Sequence, residues 1–475
     1  MKRLLLVNTN TERAPYPVPP LGLCLLAAFL EKKYDVRIFD GVFREAKELP
    51  ACVSDFRPDY IGFSIRNIDD ILIDRMIFYV DGINRDFIKP VREMTKAPLI
   101  LGGSGFSMFP APLMEITEAD YGVAGEGETA MERLLMALDG NGPGFPVPNV
   151  IRKGEQIPWG SSASTIVDLG KIPFPEIDRR IDFSPYRAKG VYSIQTKRGC
   201  SHGCIYCTYP LIEGREFRVR NPELIADELE SLYHRMGTLT VEFVDSTFND
   251  PAGHAEAVCR AIIRKNLPMR FRTMGINPRH TSPGLFRLMK EAGFMQIDVT
   301  PDSASPKVLE NLKKGFGLDE IRKTALHIRE TGMPAMWFFL FGAPGESEQT
   351  VGETFSFIDQ YVSPDDMVFL SGGLRIYPGT PLHRIALKEG VVDEGDSLLF
   401  PPSYYFSKDT PREKLDLLLR EALETRPNCV LGVESTPPAE MLNEAVEYRK
   451  LHDVNEPMFR TLLRIRKKWI SEGRL

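Results

Sequence analysis

Three cysteines close together in the sequence are the first side chains that could do chemistry. Cys200, Cys204 and Cys207 have the spacing C-x3-C-x2-C. Soft thiolate ligands select zinc, copper(I) or an iron–sulfur cluster. A structural zinc ion would need a fourth ligand, and His202 stands between two of the cysteines, where its imidazole could hardly complete one tetrahedron. Three thiolates leave one iron of a four-iron cluster open, so the spacing favours a [4Fe-4S] cluster.

The other four cysteines predict no chemistry. Cys24, Cys52, Cys259 and Cys429 lie far apart, each within or beside an apolar pattern. Free cysteine often behaves as a small buried hydrophobic residue, so we expect these four in the core. The odd total of seven cysteines also excludes a complete disulfide framework without a leftover thiol.

The composition is that of an ordinary globular protein. The chain has 475 residues, 43% of them hydrophobic and 26% charged, a length that suggests roughly three domains. Its formal net charge of −6 gives no basic excess for nucleic acid. The longest apolar stretch, at Leu21–Leu30, is about half of what a bilayer span requires. We therefore expect a cytoplasmic protein with no membrane span and no nucleic-acid partner.

The elements that must position the cysteines begin with a first domain at residues 1–139. Short apolar runs alternate there with helical patterns, and the predicted strands are 3–8, 36–39, 60–65, 98–101 and 121–124. This alternation predicts a doubly wound, Rossmann-like parallel sheet. Ligands of such sheets bind beyond the carboxyl ends of the strands, where the loops of this chain are mostly small and polar.

The rest of the chain is predicted to hold a linker, a barrel and a tail. Glycine and proline mark residues 140–189 as the linker. Within residues 190–385 the predicted strands are 192–196, 240–245, 270–273, 296–300, 335–341 and 367–370. Six such strands predict a partial (βα)6 barrel of the TIM type, with its chemistry at the carboxyl ends. Residues 386–475 are predicted to be a mainly helical domain, so the fold class is α/β.

The cysteine motif, with Tyr206 before its last cysteine and a barrel strand before its first, resembles the signature of the radical S-adenosylmethionine (SAM) superfamily. That resemblance implies that SAM chelates the open iron and that the reduced cluster cleaves SAM to a 5′-deoxyadenosyl radical. Segments 243–249, 300–303, 341–346 and 375–382 resemble later family motifs in the same order. The SAM-binding residues implied are Tyr206, Asp245, Ser246, Asp302, Gly342 and Pro344, and the catalytic residues implied are Arg375 and Tyr377.

One of the implied SAM-binding residues departs from the family pattern, and another has an alternative structural role. Asp302 stands where members of the family often carry a longer glutamate. Asp245 is also compatible with an ordinary helix N-cap, and this alternative stays open.

A glycine-rich segment in the first domain indicates a second cofactor. Gly125–Ala130 matches G-x-G-x-x-A, but it follows the fifth predicted strand instead of the first, and its two glutamates would repel a pyrophosphate. Carboxylates would instead accept hydrogen bonds from a ligand rich in amides and hydroxyls. Together with Pro19–Gly22 and Gly102-Gly103, this segment resembles the cobalamin-binding domain that precedes the radical SAM domain in cobalamin-dependent members. The implied cobalamin-binding residues are Leu21, Gly22, Ser64, Arg66, Asn67, Gly102, Gly103, Ser104, Gly125, Glu126, Gly127 and Glu128.

The sequence also bears on which residue lies below the cobalt. No histidine occurs before His202, so no imidazole of the first domain can ligate the metal from below. Members of the radical SAM branch commonly lack that ligand. We predict that Arg66 or Asn67, which follow the third strand, lies beneath the cobalt and disfavours a sixth ligand.

The resemblance implies methylation of an unactivated carbon. One SAM would methylate reduced cobalamin, a second would supply the radical that abstracts a substrate hydrogen, and the carbon radical would collect methyl from methylcobalamin. The expected substrate is a natural-product intermediate, another small molecule or a peptide or protein residue, and the expected electron donor is a flavodoxin- or ferredoxin-type reductant. Cyclisation, ring rearrangement or oxidation without net methylation stays open, as does a non-catalytic cobalamin or iron–sulfur carrier. Tail residues that could roof the cavity are Tyr404, Tyr405, Phe406, Arg460 and Arg464.

Overall fold

The structure is a computed structural model that describes residues 1–71, 73, 76–142, 144–155, 167–432 and 436–474. Part of the predicted linker therefore lies outside the described residues. The described elements form an α/β protein with two groups of parallel strands, which confirms the predicted fold class. No described helix is both long and apolar enough to cross a membrane.

The first group of strands is a six-stranded sheet with the order β2-β1-β3-β4-β5-β6. Its strands are β1 (Arg3–Asn8), β2 (Asp35–Asp40), β3 (Tyr60–Ser64), β4 (Leu99–Gly102), β5 (Tyr121–Val123) and β6 (Val150–Arg152). The first five are parallel, and each was expected from its apolar run. Strand β6 pairs antiparallel with β5 and lies within the range predicted as linker.

Helices cover both faces of this sheet. They are α1 (Leu21–Leu30), α2 (Leu49–Phe56), α3 (Tyr79–Ile83), α4 (Lys89–Met94), α5 (Ser104–Met108), α6 (Pro110–Thr117) and α7 (Gly127–Leu138). Helices α1 and α7 bury Leu26 and Leu134 on one face, against Leu4 and Leu6 of β1. The opposite face buries Leu5 and Val7, so both faces of the strands are apolar, as parallel sheets require.

The second group of strands forms a partial barrel. The strands after β6 are β7 (Tyr192–Ile194), β8 (Lys197–Arg198), β9 (Arg218–Val219), β10 (Thr240–Phe243), β11 (Arg270–Thr273), β12 (Ile297–Asp302), β13 (Ala335–Phe341), β14 (Met367–Gly372), β15 (Leu374–Arg375), β16 (Tyr404–Tyr405) and β17 (Cys429–Leu431). Two parallel arcs, β11-β10-β7 and β12-β13-β14-β17, are joined by bridges between β11 and β12. All six predicted barrel strands are present, and β17 is a seventh that the sequence pattern did not predict.

Helices alternate with these strands and follow the last of them. They are α8 (Ile177–Arg180), α9 (Ser184–Lys189), α10 (Tyr209–Ile212), α11 (Pro222–Met236), α12 (His254–Lys265), α13 (Pro283–Ala292), α14 (Pro306–Leu312), α15 (Leu318–Thr331), α16 (Glu348–Tyr361), α17 (Pro381–Glu389), α18 (Arg412–Thr425), α19 (Ala439–Leu451) and α20 (Met458–Ser471). Several begin at a side chain that accepts a backbone N–H, such as Asn221 for α11 and Ser282 for α13.

The C-terminal helix α20 lies beneath the barrel. Phe459 and Leu463 pack against Met367, at the amino end of β14. Arg460 Nη2 donates to Asp366 Oδ1 at 3.0 Å, immediately before the same strand. The expectation that Arg460 and Arg464 roof the cavity is therefore wrong, because α20 lies at the opposite end of the strands from their carboxyl termini. The other three tail candidates, Tyr404, Tyr405 and Phe406, lie on or next to β16, which pairs with β15 beyond the carboxyl end of β14.

The four isolated cysteines are all free thiols in the structure. Cys24, Cys259 and Cys429 are buried in the barrel core. Cys52 is half-buried and packs against the core of the first domain. The prediction of core thiols is thus confirmed fully for three of the four residues.

Candidate functional site

The cysteine loop leaves the barrel directly after β8. Gly199 has a φ of +84°, and a Cβ there would lie 2.0 Å from the carbonyl oxygen of Glu216, so only glycine fits. Two backbone bonds fix the loop, one from Cys200 N to Gly214 O at 3.1 Å and one from Ile205 N to Leu312 O at 3.1 Å. The loop is therefore held at Cys200, where it begins, and at Ile205, between its last two cysteines.

The three thiols form a site suited to a cluster. Burial raises the pKa of each thiol, that of Cys207 to about 12, and neighbouring thiols raise the pKa of Cys204 and Cys207 further. Lys197 beside Cys200 and Lys314 beside Cys204 oppose that shift, so two cations balance the charge of bound thiolates. Among the described residues no group of His, Cys, Asp and Glu side chains converges tightly enough for a single metal ion. Three soft thiolate donors on one short loop fit a cluster, whose irons each take one thiolate.

His202 is held away from a ligand role. Its Nε2 lies 2.8 Å from Asp250 Oδ2 and 3.0 Å from Asn277 Nδ2. Asn277 also donates to Asp250 at 3.0 Å, which closes a triangle of polar groups. The zinc alternative therefore loses its one local fourth ligand.

A buried cation network lies behind the last two cysteines. Lys314 Nζ donates to Asp302 Oδ2 at 2.7 Å and lies 3.3 Å from the Tyr206 hydroxyl, which itself donates to Asp302. Lys314 and Asp302 have side chains only 7% and 9% exposed. Asp302 is thus an ion-pair partner in this structure, and local sequence patterns did not predict its partner Lys314. A lysine alone carries no local motif, which explains why it was not found.

Asp245 supports the backbone that leads into the cysteine loop. Its Oδ1 accepts from Thr196 N at 2.8 Å and from Lys197 N at 3.2 Å, and its Oδ2 accepts from the Thr196 hydroxyl. The Thr196 hydroxyl also lies 2.9 Å from His254 Nε2. Ser246 Oγ donates to Gly199 O at 3.1 Å. Asp245 thus stabilises the backbone that precedes the cysteine loop. Among the described residues, no hydrogen bond gives Asp245 the role of a helix N-cap.

The turn after β13 is shaped by its own glutamate. Glu346 is fully buried and accepts from the backbone N–H groups of Gly342 and Ala343. Gly342 has a φ of +97°, and Asn311 Nδ2 donates to Pro344 O at 2.8 Å. Burial raises the pKa of Glu346 to about 7, although the two N–H groups oppose this shift. The turn predicted to contact SAM is therefore rigid.

The glycines of the first domain divide into two kinds. Gly103, with a φ of +98°, allows its loop to approach the β3 loop, because a Cβ there would meet Ile65 O at 2.6 Å. A Cβ on Gly102 would have its nearest neighbour 3.7 Å away, and Gly22 and Gly127 have nothing within 4 Å. Gly22, Gly102 and Gly127 therefore leave the backbone accessible to a large ligand at the carboxyl ends of the strands, which fits cobalamin.

The loop after β3 places Arg66 and Asn67 at the same edge. Arg66 is exposed, while its carbonyl oxygen accepts from Ser104 Oγ at 3.3 Å. Asn67 Nδ2 donates to Asn10 Oδ1 at 3.2 Å. Thr9 Oγ1 donates to Ser64 O at 2.8 Å, so β1 and β3 contribute to one rim. Arg66 is therefore available to a ligand, and its role beneath cobalt stays a prediction.

The two glutamates at the start of α7 have arginine partners. Glu128 forms a bidentate pair with Arg198, at 3.1 and 2.6 Å, and both side chains are buried. Glu126 pairs with Arg218 and accepts from Val167 N at 3.0 Å. Instead of facing an amide-rich ligand, these carboxylates bind the β8–β9 hairpin that carries the cysteine loop. The partners lie far away in the sequence, so local motifs gave no sign of them.

Arg375 and Tyr377 differ in their surroundings. The Arg375 guanidinium donates to Asp69 Oδ2 at 3.1 Å and to the carbonyl oxygens of Leu398 and Ile376 at 2.8 and 3.2 Å. It thereby fixes the β3 loop, which suits a positioning residue better than the predicted catalytic one. Tyr377 is half-buried, with its ring centroid 6.2 Å from that of Phe109 in the first domain. Burial raises the pKa of Tyr377 to about 12, so its phenol is neutral.

Comparisons with known proteins agree with this arrangement. Residues 7–135 match the B12 binding domain, and residues 194–358 match the radical SAM superfamily. The chain is 25% identical over 405 residues to an uncharacterized methyltransferase of Pyrococcus horikoshii, covering 82% of this chain and 84% of the relative. It is 26% identical over 441 residues to tryptophan 2-C-methyltransferase of Streptomyces laurentii, covering 78% and 72%.

A solved structure has the same fold over the whole chain. The radical SAM methyltransferase TsrM of Kitasatospora setae, with cobalamin and a [4Fe-4S] cluster bound, superposes with a TM-score of 0.80 at 24% identity. The match covers 99% of this chain and 100% of that one. A match to the B12 binding domain followed by a match to the radical SAM superfamily, which includes the cysteine loop, gives the chain the domain arrangement of cobalamin-dependent radical SAM enzymes.

Proposed function

We propose that this protein is a cobalamin-dependent radical SAM methyltransferase that methylates an unactivated carbon of a small molecule or of a peptide or protein residue. When bound, the cluster and SAM supply the radical and the methyl group, and cobalamin carries the methyl group. One observation carries the proposal, namely that the buried Glu128–Arg198 and Glu126–Arg218 pairs join the first-sheet rim to the cysteine loop. Both cofactors would then face one interior between the domains, a common place for a reaction pocket.

The residues of the chain have distinct roles in this proposal. Cys200, Cys204 and Cys207 hold the cluster, and Lys314 balances its charge. Gly342, Pro344 and Ser246 border SAM, while Gly22, Gly102 and Gly127 let the corrin approach the backbone. Arg66 or Asn67 would border the bound cobalamin from the β3 loop and disfavour a further ligand of its metal, and Tyr377 would donate a hydrogen bond from its neutral phenol to a reacting group. The relative from Streptomyces laurentii, a tryptophan 2-C-methyltransferase, supports transfer of the methyl group to a carbon atom.

The proposal also includes an electron donor, a cellular location and the limits of the domains. The electron donor is a flavodoxin- or ferredoxin-type protein, the location is the cytoplasm, and nucleic acid is not a partner. The domain limits proposed are 1–139, 140–189, 190–385 and 386–475.

The decisive experiment follows a labelled methyl group. Anaerobic protein, reconstituted with cluster and cobalamin, is incubated with SAM deuterated on its methyl group, a reductant and extract of the host. We expect a product whose mass rises by one deuterated methyl group bound to carbon. Label found only in S-methylated material would refute carbon methylation, and a product changed without label would indicate cyclisation or oxidation. Cobalamin absorbance with no cleavage of SAM would indicate a carrier.

A further inference from the structure

The interior of the barrel is open to a ligand. Along β13, Trp337 and Phe339 are buried against the outer helices, whereas the alternate residues Met336, Phe338 and Leu340 are only partly buried. Successive side chains of a strand point to opposite faces, so the partly buried set lines the interior. Met274, which follows β11, is 48% exposed although the helices surround its strand. The inner faces are therefore only partly covered, although Met336 and Phe369 also pack against Phe459 and Leu463 of α20.

Most of this lining is apolar and partly aromatic. Phe338 of β13 and Phe369 of β14 stack with ring centroids 4.8 Å apart and planes inclined by 6°. Met274 and Leu340 add flexible apolar surface on either side. Such a wall binds flat, apolar groups and presents ring faces that attract cations.

The charged residues of the interior do not balance. Arg272 Nε donates to Glu242 Oε1 at 2.6 Å, and the Tyr16 hydroxyl donates to the same oxygen at 2.9 Å. This pair is neutral as a unit. The Asp298 carboxylate accepts one hydrogen bond, from Gln296 Nε2 at 3.4 Å, and forms no ion pair with any described residue. Burial raises the pKa of Asp298 to about 7, although Arg272 opposes this shift.

A carboxylate without a counter-ion on the inner face of the barrel is energetically unfavourable unless a cationic ligand binds it. Removing a carboxylate from water costs several kcal/mol when no cation accompanies it. Gln296 supplies one weak donor, and the cation of Arg272 is already bound to Glu242. The Asp298 carboxylate is therefore partly exposed on the inner face and has no counter-ion among the described residues.

We infer that Asp298 binds an amino group or other cationic nitrogen of the substrate, whose flat apolar part packs against the wall of Phe338 and Phe369. This inference rests on the proposed function, since it assigns the interior to the substrate. Asp298 stands four residues before Asp302 on β12, which places it up to about 13 Å below the carboxyl end. The substrate is thus elongated, with its reacting carbon at the cofactor end and its cationic nitrogen deep in the barrel.

Three indole probes of similar size but different charge test the inference. Tryptamine is a cation, tryptophol is neutral and indole-3-acetate is an anion at pH 8. Their binding to the cluster- and cobalamin-loaded protein is measured by calorimetry. We expect tryptamine to bind at least 10-fold more tightly than tryptophol, and indole-3-acetate to bind least, because a charge-assisted bond needs the cation. In Asp298→Asn the advantage of tryptamine over tryptophol should disappear.

Two further variants separate recognition from folding. Asp298→Glu retains the charge and should keep the preference for tryptamine. Asp319→Asn makes the same chemical change on an exposed side chain of α15 and should leave all three affinities unaltered. Equal affinities of the wild-type protein for tryptamine and tryptophol, or an unchanged preference in Asp298→Asn, would overturn the inference. Because binding needs no turnover, these results stand apart from the labelled-methyl test of the proposed function.

Discussion

Replacing Glu128 by glutamine tests the ion pair that joins the two domains. Its carboxylate accepts from Arg198 Nη2 at 2.6 Å and from Nη1 at 3.1 Å, with side chains 5% and 8% exposed. Burial alone would raise the pKa of Glu128, but the guanidinium of Arg198 brings it below its usual value. The glutamine would leave Arg198 charged, buried and without its counter-ion.

The size of the effect follows from the surroundings of Arg198. Breaking a buried pair by removing one partner costs about 3–5 kcal/mol. Arg198 Nη1 retains Glu126 Oε2 at 3.8 Å, so part of its charge stays balanced. We therefore expect the lower value, about 3 kcal/mol, which corresponds to a more than roughly 100-fold change in a local opening equilibrium.

Hydrogen exchange followed by mass spectrometry measures that opening locally. The backbone amides of residues 197–200 should exchange more than roughly 100-fold faster in Glu128→Gln than in the wild-type protein. The matched control is Glu155→Gln, which removes one member of an exposed pair with Arg152, at 38% and 49% exposure. Exposed pairs contribute little, so exchange of the same amides should not change. Unaltered exchange in Glu128→Gln would refute the reasoning.

A double variant distinguishes the lost pair from a general disturbance. Replacing Glu128 and Arg198 together by methionine removes both charges and keeps much of the volume. Buried pairs replaced in this way often lose little stability. The amides of 197–200 should thus exchange more slowly than in Glu128→Gln, and faster exchange would contradict the pair as the cause.

Four other variants probe single elements of the site. The pKa of Glu346, raised to about 7, favours its protonated form in the folded protein, so this residue lowers stability as pH rises from about 4.5 through 7. Glu346→Gln should therefore raise the free energy of unfolding at pH 8, by up to about 3 kcal/mol, and leave it nearly unaltered at pH 4, as thermal melts will record. Arg375→Met should destabilise the β3 loop by about 3–5 kcal/mol, since it leaves Asp69 buried and unpaired, and faster exchange of residues 65–71 will report this. Arg66→Ala should alter the absorption spectrum of bound cobalamin, and Asn67→Ala is the companion variant, because unchanged spectra in both would refute their place beneath cobalt.

Local patterns sufficed for much of the fold. The apolar runs of the first sheet and the six barrel strands each carry a short-range signal, and all were found near the predicted bounds. The cysteine spacing likewise identified the metal loop, because its three ligands are neighbours in sequence. Strand β17 escaped prediction because three residues at Cys429–Leu431 are too few for a period, and the strand exists only through its pairing with β14.

Long-range pairing accounts for the misread parts of the site. The glutamates of Gly125–Ala130 were interpreted by their own motif, yet their partners lie on β8 and β9, 70 and 92 residues further along the chain. The tail that contains α20 was predicted to be mainly helical, but a helical pattern does not say which end of the barrel the helix covers. Arg375 follows the family motif in sequence, and only the structure brings Asp69 to it.

The distribution of buried carboxylates adds a general argument about the site. Glu128 has Arg198, Asp302 has Lys314, and Asp245 has three donors around it, so each of these acids already serves the protein's own architecture. Such fully satisfied groups rigidify a site and have little capacity left for a ligand. Asp298 differs, since it is partly exposed on the inner face with a single weak donor. The acids Glu128, Asp302 and Asp245, which local motifs identified, hold the cofactor loops in place, whereas Asp298, which no motif identified, is left for the substrate.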